Sequence, residues 1–308
     1  MATHSLAGGQ DTQSRRAIAC MLFGVSLIAL NDALIKSLTS IYPVGELLLL
    51  RGLFIMPWVI FLAFRAGSIE SLKVKNPVGQ ALRALCVIGS SFLFVNGLAH
   101  LQLADAIAIT FTGPLFITAL APIALSEYVG WRRWFAVLIG FVGILFIFRP
   151  GYGTLQWAVL FPLGAALCGS IRDIITRRIS QTESSVAVLL VTTCMVILAG
   201  LATVPFAWVP VRIDDLTTFA ACGMLIGGGH YFMIEAFRHG EAALVAPFKY
   251  TFMVWAILYG FLFFGNLPDY WTLVGAAIVI AAGLYVLHRE MKLTRSPIAA
   301  GPRPPSRM

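Results

Sequence analysis

Runs of roughly 20 residues with few charges recur along the whole chain, the length needed to cross about 30 Å of hydrocarbon. Spans are expected at about 17–36, 44–64, 78–99, 103–125, 132–149, 155–176, 184–207, 216–237, 242–264 and 270–288. Turn signals fall between them: Tyr42-Pro43, Asn76-Pro77, Arg149-Pro150-Gly151, Val209-Pro210 and Leu267-Pro268-Asp269. A length of 308 residues would suit two soluble domains, but 59% apolar and 12% charged residues exclude them. The pattern is that of a polytopic, all-α membrane protein with ten transmembrane helices.

Basic residues set the expected orientation. With the N-terminus cytoplasmic, fifteen Lys and Arg fall at inside ends and loops, among them Arg15, Arg65, Lys75, Arg132, Arg178 and Arg289. Only three, Lys36, Arg149 and Arg212, fall outside, a strong positive-inside bias. Trp131 and Trp134 at one face, with Trp157, Trp208 and Trp271 at the other, fit interfacial belts. Because the basic residues sit in loops and tails, the net charge of +8 does not imply nucleic acid. Cys20, Cys86, Cys168, Cys194 and Cys222 lie in apolar segments without CxxC spacing and read as buried free thiols. Residues 1–16 form a polar cytoplasmic tail with no sign of a cleaved signal peptide. Residues 289–308, rich in Pro, Ser and Arg toward the end, read as a disordered cytoplasmic tail.

The chain is also written twice. LIALNDALIKS (27–37) and CGSIRDIITRR (168–178) each carry an Asp followed four residues later by a base, Asp32/Lys36 and Asp173/Arg177. ADAIAITFTGPLF (104–116) matches EAALVAPFKYTFM (241–253). The two offsets, about 141 and 137 residues, align 17–149 with 155–288. Each copy holds five spans, so the copies enter the bilayer from opposite sides. Two inverted five-helix repeats are the plan of a secondary transporter with its substrate site near the midplane between them.

Several segments resemble the drug/metabolite transporter superfamily, specifically its ten-span EamA-type branch. In the first half these are LLLLRGL (47–53), LADAIAITFTGPLFITAL (103–120) and SEYVGWRRWFAVLIGFVGILFIFRPG (126–151). In the second half the resemblance runs through 240–283. Asn266 stands where the family has a Glu after the ninth span, whereas Glu127 is kept in the first half. NDALIKSL (31–38) and FKY (248–250) are similar to segments of bacterial amino-acid exporters and S-adenosylmethionine carriers. The resemblance implies a bacterial inner-membrane carrier with both termini cytoplasmic.

Ionisable side chains inside spans are costly unless paired or facing water, so each is a candidate. Asp32 and Lys36 share one helix face and can neutralise each other. Asp173 and Arg177 hold the repeat-related place at the opposite mouth. One pair at each mouth suits alternating gates. Lys249 lies about 12 Å into span nine, beside Pro247, which disrupts regular helix bonding. Its repeat counterpart is Thr112, beside Gly113-Pro114. Broken helices at corresponding places in two halves point to a transporter binding site, so Lys249, Tyr250 and Thr112 lead the substrate-binding candidates. Arg51, about 10 Å deep in span two, either binds an anionic group or pairs with Glu46. Arg172, opposite Asn31 in the repeat alignment, can bind a carboxylate. Trp255 can supply an aromatic wall, and Arg83 and Asn96 can also face the cavity. Gly227-Gly228-Gly229 permits close helix approach. His230 is a proton-coupling candidate because His titrates near neutral pH, as is Glu235, with Arg238 three residues on.

No GxxxxGK[ST] loop is present, which argues against ATP-driven transport by this chain. No His/Cys/carboxylate cluster has metal-ligand spacing, and no cofactor is expected. An intramembrane enzyme would need a nucleophile–base or metal constellation that has no motif here. The expectation is therefore a secondary carrier of small polar organic metabolites, amino acids or related compounds first, with export favoured. Uptake of a larger metabolite such as S-adenosylmethionine or riboflavin is the alternative. Its partners would be the substrate, a coupling proton and the bilayer, with the chain acting as a monomer or homodimer.

Overall fold

A computed structural model describes residues 2–65, 73–124, 129–148, 156–179, 182–206, 208–239 and 242–295. Glu127 and the Arg149-Pro150-Gly151 turn lie outside the described residues. In a bilayer the backbone must satisfy itself within each segment, and helices do so. The chain accordingly folds as α1 (Ala2–Leu38), α2 (Val44–Arg65), α3 (Pro77–His100), α4 (Leu103–Thr110), α5 (Gly113–Ala124) and α6 (Trp131–Phe148). It continues as α7 (Leu160–Ile179), α8 (Ser185–Leu201), α9 (Ile213–His239), α10 (Ala242–Val245), α11 (Phe252–Phe264) and α12 (Tyr270–Arg295). The fourth span is α4 plus α5. The ninth is α10, a 3-10 turn over Ala246–Thr251, and α11.

Among the described residues, nine segments are long and apolar enough to cross a membrane. The eighth expected span, α9, is 27 residues long but diluted by three consecutive glycines and two early aspartates. It completes the set by packing along α1 and α2.

The turn signals act where expected. Pro77 opens α3, with the Asn76 side chain accepting from the Gly79 amide at 2.9 Å. Asp269 caps α12 in the same way, accepting from the Thr272 amide at 2.8 Å. α11 ends at Gly265, whose φ of +66° is left-handed and suits glycine. Two tail boundaries shift. Residues 289–295, read as disordered, continue α12, and helical backbone begins at Ala2 rather than at residue 17.

The packing carries the two-fold relation of the repeats. α1 lies against α9 and, at the related place, α3 lies against α7. α2 pairs with α8, and α6 with α12. Small residues let these crossings close. At the α6–α12 crossing a Cβ on Gly275 would stand 2.5 Å from the Gly143 carbonyl oxygen. At α1–α9 a Cβ on Gly229 would stand 3.0 Å from the Gly24 oxygen, so the glycine run does serve close approach. Large apolar side chains such as Phe64, Ile123 and Leu262 face outward, toward lipid.

Candidate functional site

Both breaks fall at corresponding places, and they touch. α4 stops at Thr110, and the Phe111 and Thr112 amides bond in short-turn fashion to Ala108 and Ile109. The 3-10 turn over Ala246–Thr251 interrupts the other half. The Phe111 and Tyr250 rings meet with centroids 5.1 Å apart. Thr hydroxyls take up carbonyls freed at the breaks: Thr110 donates to Ile107, Thr112 to Ile109 and Thr251 to Phe248. Thr112 is fully buried with its hydroxyl so used, and it therefore presents no free group to a substrate. Lys249 is exposed although deep in its span, with Nζ 5.3 Å from the Phe237 ring centre. The two matched positions differ in both chemistry and access.

Around Lys249 the fold gathers charges from four helices. Arg172 Nη2 lies 2.7 Å from Asp173 Oδ1, and Arg172 Nε donates to the same oxygen at 2.9 Å. Asp173 keeps half of its side chain exposed. Asp173 attracts Lys249 and Arg172 repels it. Arg83 of α3 donates through Nε to Thr176 at 2.8 Å and also to Thr192. The charges of Arg172 and Asp173 act on it. His230 of α9 is exposed, its Nδ1 2.8 Å from the Ile226 carbonyl, within the field of Arg172, Arg51 and Lys249.

Asp32 is 6% exposed and accepts from the Asn31 side chain at 2.9 Å, while the Arg51 guanidinium, 9% exposed, supplies its counter-charge. The Asn31 amide oxygen is buried without a hydrogen-bond partner. Two expected pairings are therefore replaced. Asp32 and Lys36 do not neutralise each other. Lys36 Nζ crosses to α3 instead, donating to the Leu98 and Leu101 carbonyls at 2.6 Å each. Asp105 attracts it, and the Phe264 ring centre lies 5.4 Å away. Glu46 does not pair with Arg51 but accepts from the Val209 amide at 3.2 Å. At the other mouth Asp173 takes its neighbour Arg172, while Arg177 is exposed.

The remaining candidates separate. Glu235 holds His239 at 3.0 Å and Arg238 at 3.5 Å, an interfacial cluster at the end of α9. Trp255 stacks on Tyr259 at 5.8 Å, and the Tyr259 hydroxyl lies 3.0 Å from Ser26 Oγ. Asn96 donates to Phe92 and lines a cavity of about 430 Å³ at the Tyr42 end, with Thr39, Thr203 and Trp208. No charged residue lines that cavity, so the charged cluster around Lys249 is the stronger candidate site. Among the described residues no His/Cys/Asp/Glu group could hold a metal.

Glu183 was not among the sequence candidates. It lies in the loop before α8, 7% exposed. Its Oε1 accepts from the backbone amides of Lys75, at 2.7 Å, and of Asn76. Its Oε2 accepts from the Gln80 side chain at 3.1 Å. Burial alone would raise its carboxyl. The Asn76 amide, the Gln80 amide, and the Lys75 amide and charge outweigh burial and hold it below the usual carboxylate range.

Comparisons with known proteins agree with this architecture. A family profile described as "EamA-like transporter family" matches residues 15–149 and 156–288, one match for each repeat. The chain is 34% identical over 206 residues to a riboflavin transporter of Rhizobium johnstonii, covering 66% of this chain and 68% of the relative. It is 25% identical to an S-adenosylmethionine uptake transporter of Rickettsia prowazekii, over 89% of this chain and 93% of the relative. It is 24% identical to a pseudopaline exporter of Pseudomonas aeruginosa, over 82% and 88%. A solved crystal structure superposes with a TM-score of 0.61 at 19% identity, covering 90% of this chain and 99% of the other, which supports the fold alone.

Proposed function

From the premise that the chain belongs to the EamA-like transporter family, we propose that it is a secondary carrier for polar organic metabolites bearing an amino-acid-type carboxylate. As a family member it is a transporter of the drug/metabolite superfamily and a multi-pass protein of the bacterial inner membrane. The observation that carries the substrate class is the charge surplus between the repeats. Arg51, Arg83, Arg172 and Lys249 stand against Asp32 and Asp173. Guanidinium groups suit carboxylates by paired hydrogen bonding. In this reading Lys249 and Arg172 bind the carboxylate, Asp173 receives an ammonium group, and Tyr250 and Trp255 flank the rest. This class takes in amino acids and also S-adenosylmethionine, which carries an amino-acid group.

The mechanism follows from the two ends. At the end read as outer, Lys36 ties α1 to the C-terminal carbonyls of α3, where the helix dipole favours a cation. Toward the other end Asp173 is exposed, and so is Lys249 deeper in its span. We assign this arrangement to a state closed outside and open inside. In the reverse state Arg177, the counterpart of Lys36, seeks the end of α9 as Lys36 here seeks that of α3. A second reading, riboflavin uptake, is favoured by the 34% identical relative of that name. Uptake into proteoliposomes, with and without an imposed proton gradient, separates the readings. The first expects competition by amino acids or S-adenosylmethionine and loss with Lys249→Ala. Transport of riboflavin alone, indifferent to both, sinks it and leaves the second.

A further inference from the structure

Each repeat sends one glutamate into the other. Glu46 sits in the first turn of α2 and accepts from the Val209 amide, in the segment leading into α9. Glu183 stands two residues before α8 and accepts from the Lys75 and Asn76 amides, in the segment leading into α3. The two glutamates are 137 residues apart, the offset that aligns Thr112 with Lys249. Both are buried, and burying a carboxylate is costly unless donors meet it; Glu183 has both oxygens bonded, whereas Glu46 has one bonded and Oε1 buried without a partner.

The helices so joined pack together, while α2 also pairs with α8 across the two sets. α9 lies on α1 and α2, and α3 lies on α7 and α8. Tyr42 reinforces the first set by donating to Asp215 at 2.6 Å and accepting from the Arg212 amide at 3.1 Å. Gln80 of α3 reinforces the second through Glu183. The Lys36 contacts, in contrast, run from α1 to α3 and so cross between the sets.

We infer that Glu46 and Glu183 are positioning residues, clasps that make each three-helix set, α1–α2–α9 and α3–α7–α8, a rigid body built from both repeats. The clasps stay closed throughout transport while the Lys36 contact opens. This rests on the alternating-access reading above, but the clasps themselves are testable without a transported compound.

Hydrogen–deuterium exchange of the full chain in lipid nanodiscs reads them directly. Peptides covering 73–80 and 208–212 exchange slowly in the wild type. Glu183→Ala accelerates the first at least tenfold and leaves the second unchanged, and Glu46→Ala does the reverse. Glu183→Gln, which keeps an acceptor oxygen, falls between, so a loss confined to folding is recognised. Unchanged exchange in Glu183→Ala overturns the clasp.

The rigid-body role is tested by a disulfide between cysteines placed at 75 and 183, with the five native cysteines replaced. Counterflow of S-adenosylmethionine is the same before and after that cross-link is formed. If the 75–183 cross-link stops counterflow, Glu183 belongs to a moving gate and the inference fails. Absence of S-adenosylmethionine counterflow in the uncrosslinked protein refutes the substrate reading only, and the exchange data then decide the clasps.

Discussion

Asp32 and Asp173 hold the same place in two copies of one repeat, yet their surroundings are opposite. Asp32 is buried, bonded to Asn31 and balanced by Arg51 from a neighbouring helix. Asp173 is half exposed and pairs with the adjacent Arg172. The immediate neighbour differs, Asn31 beside one and Arg172 beside the other, and the packing of the two ends adds burial to that difference. The same contrast in exposure separates the half-buried Lys36 from the exposed Arg177. On the alternating-access reading, an inverted repeat held in one asymmetric state has a partner state in which the two ends exchange roles.

The largest way to break this comparison is Asp32→Asn. It leaves Arg51 buried without its counter-charge, and removing one member of a buried pair costs about 3–5 kcal/mol. We expect a melting temperature far below that of Asp173→Asn, whose exposed pair is worth about 0–1 kcal/mol. Equal losses would mean that the two acids are not in different environments. Next comes Lys36→Met, which removes two hydrogen bonds from a charged donor, each worth about 1.5–3 kcal/mol. Counterflow should fall at least tenfold, and a cysteine placed near Leu101 should become reactive to an impermeant thiol reagent added from that end. Unchanged reactivity would show that Lys36 does not close it.

Gly275→Val sharpens the comparison as a control. It forces a side chain onto the Gly143 carbonyl at the α6–α12 crossing, which involves neither the Lys36 nor the Asp173 contacts. Overpacking costs about 1–3 kcal/mol, read as a lower melting temperature with half-saturation for substrate unchanged. The smallest effect is that of pH on Glu183. Its folded-state value is depressed, so its contribution is complete above the unfolded value near 4.5 and is lost as pH falls through the lower, folded one. Amide exchange at 73–80, corrected for the intrinsic pH dependence, should rise only in that acidic window. A rise near neutrality would contradict the assignment.

The spans were legible because twenty apolar residues in a row have few alternatives. The paired breaks were legible because Pro114 and Pro247 remove the same kind of helix bond. Which charge meets which was not. Lys36 chose two backbone carbonyls of α3, and a carbonyl leaves no mark in a sequence. Asp32 lies in the field of Arg51 on another helix, a proximity that repeat alignment and i,i+4 spacing do not report. Glu183 was passed over because it lies in a loop, where an acid attracts no notice. A signal was present, however, since it lies 137 residues after Glu46, within four residues of the local repeat offset of 141.

The central claim, that the halves exchange the two ends to carry a carboxylate-bearing metabolite, is tested most directly by counterflow in proteoliposomes. Labelled S-adenosylmethionine is supplied outside, and vesicles are preloaded with either unlabelled S-adenosylmethionine or buffer. The account predicts severalfold faster initial influx into the preloaded vesicles, an acceleration abolished by Lys249→Ala. Influx at the same rate into both kinds of vesicle, or influx indifferent to Lys249, would contradict it.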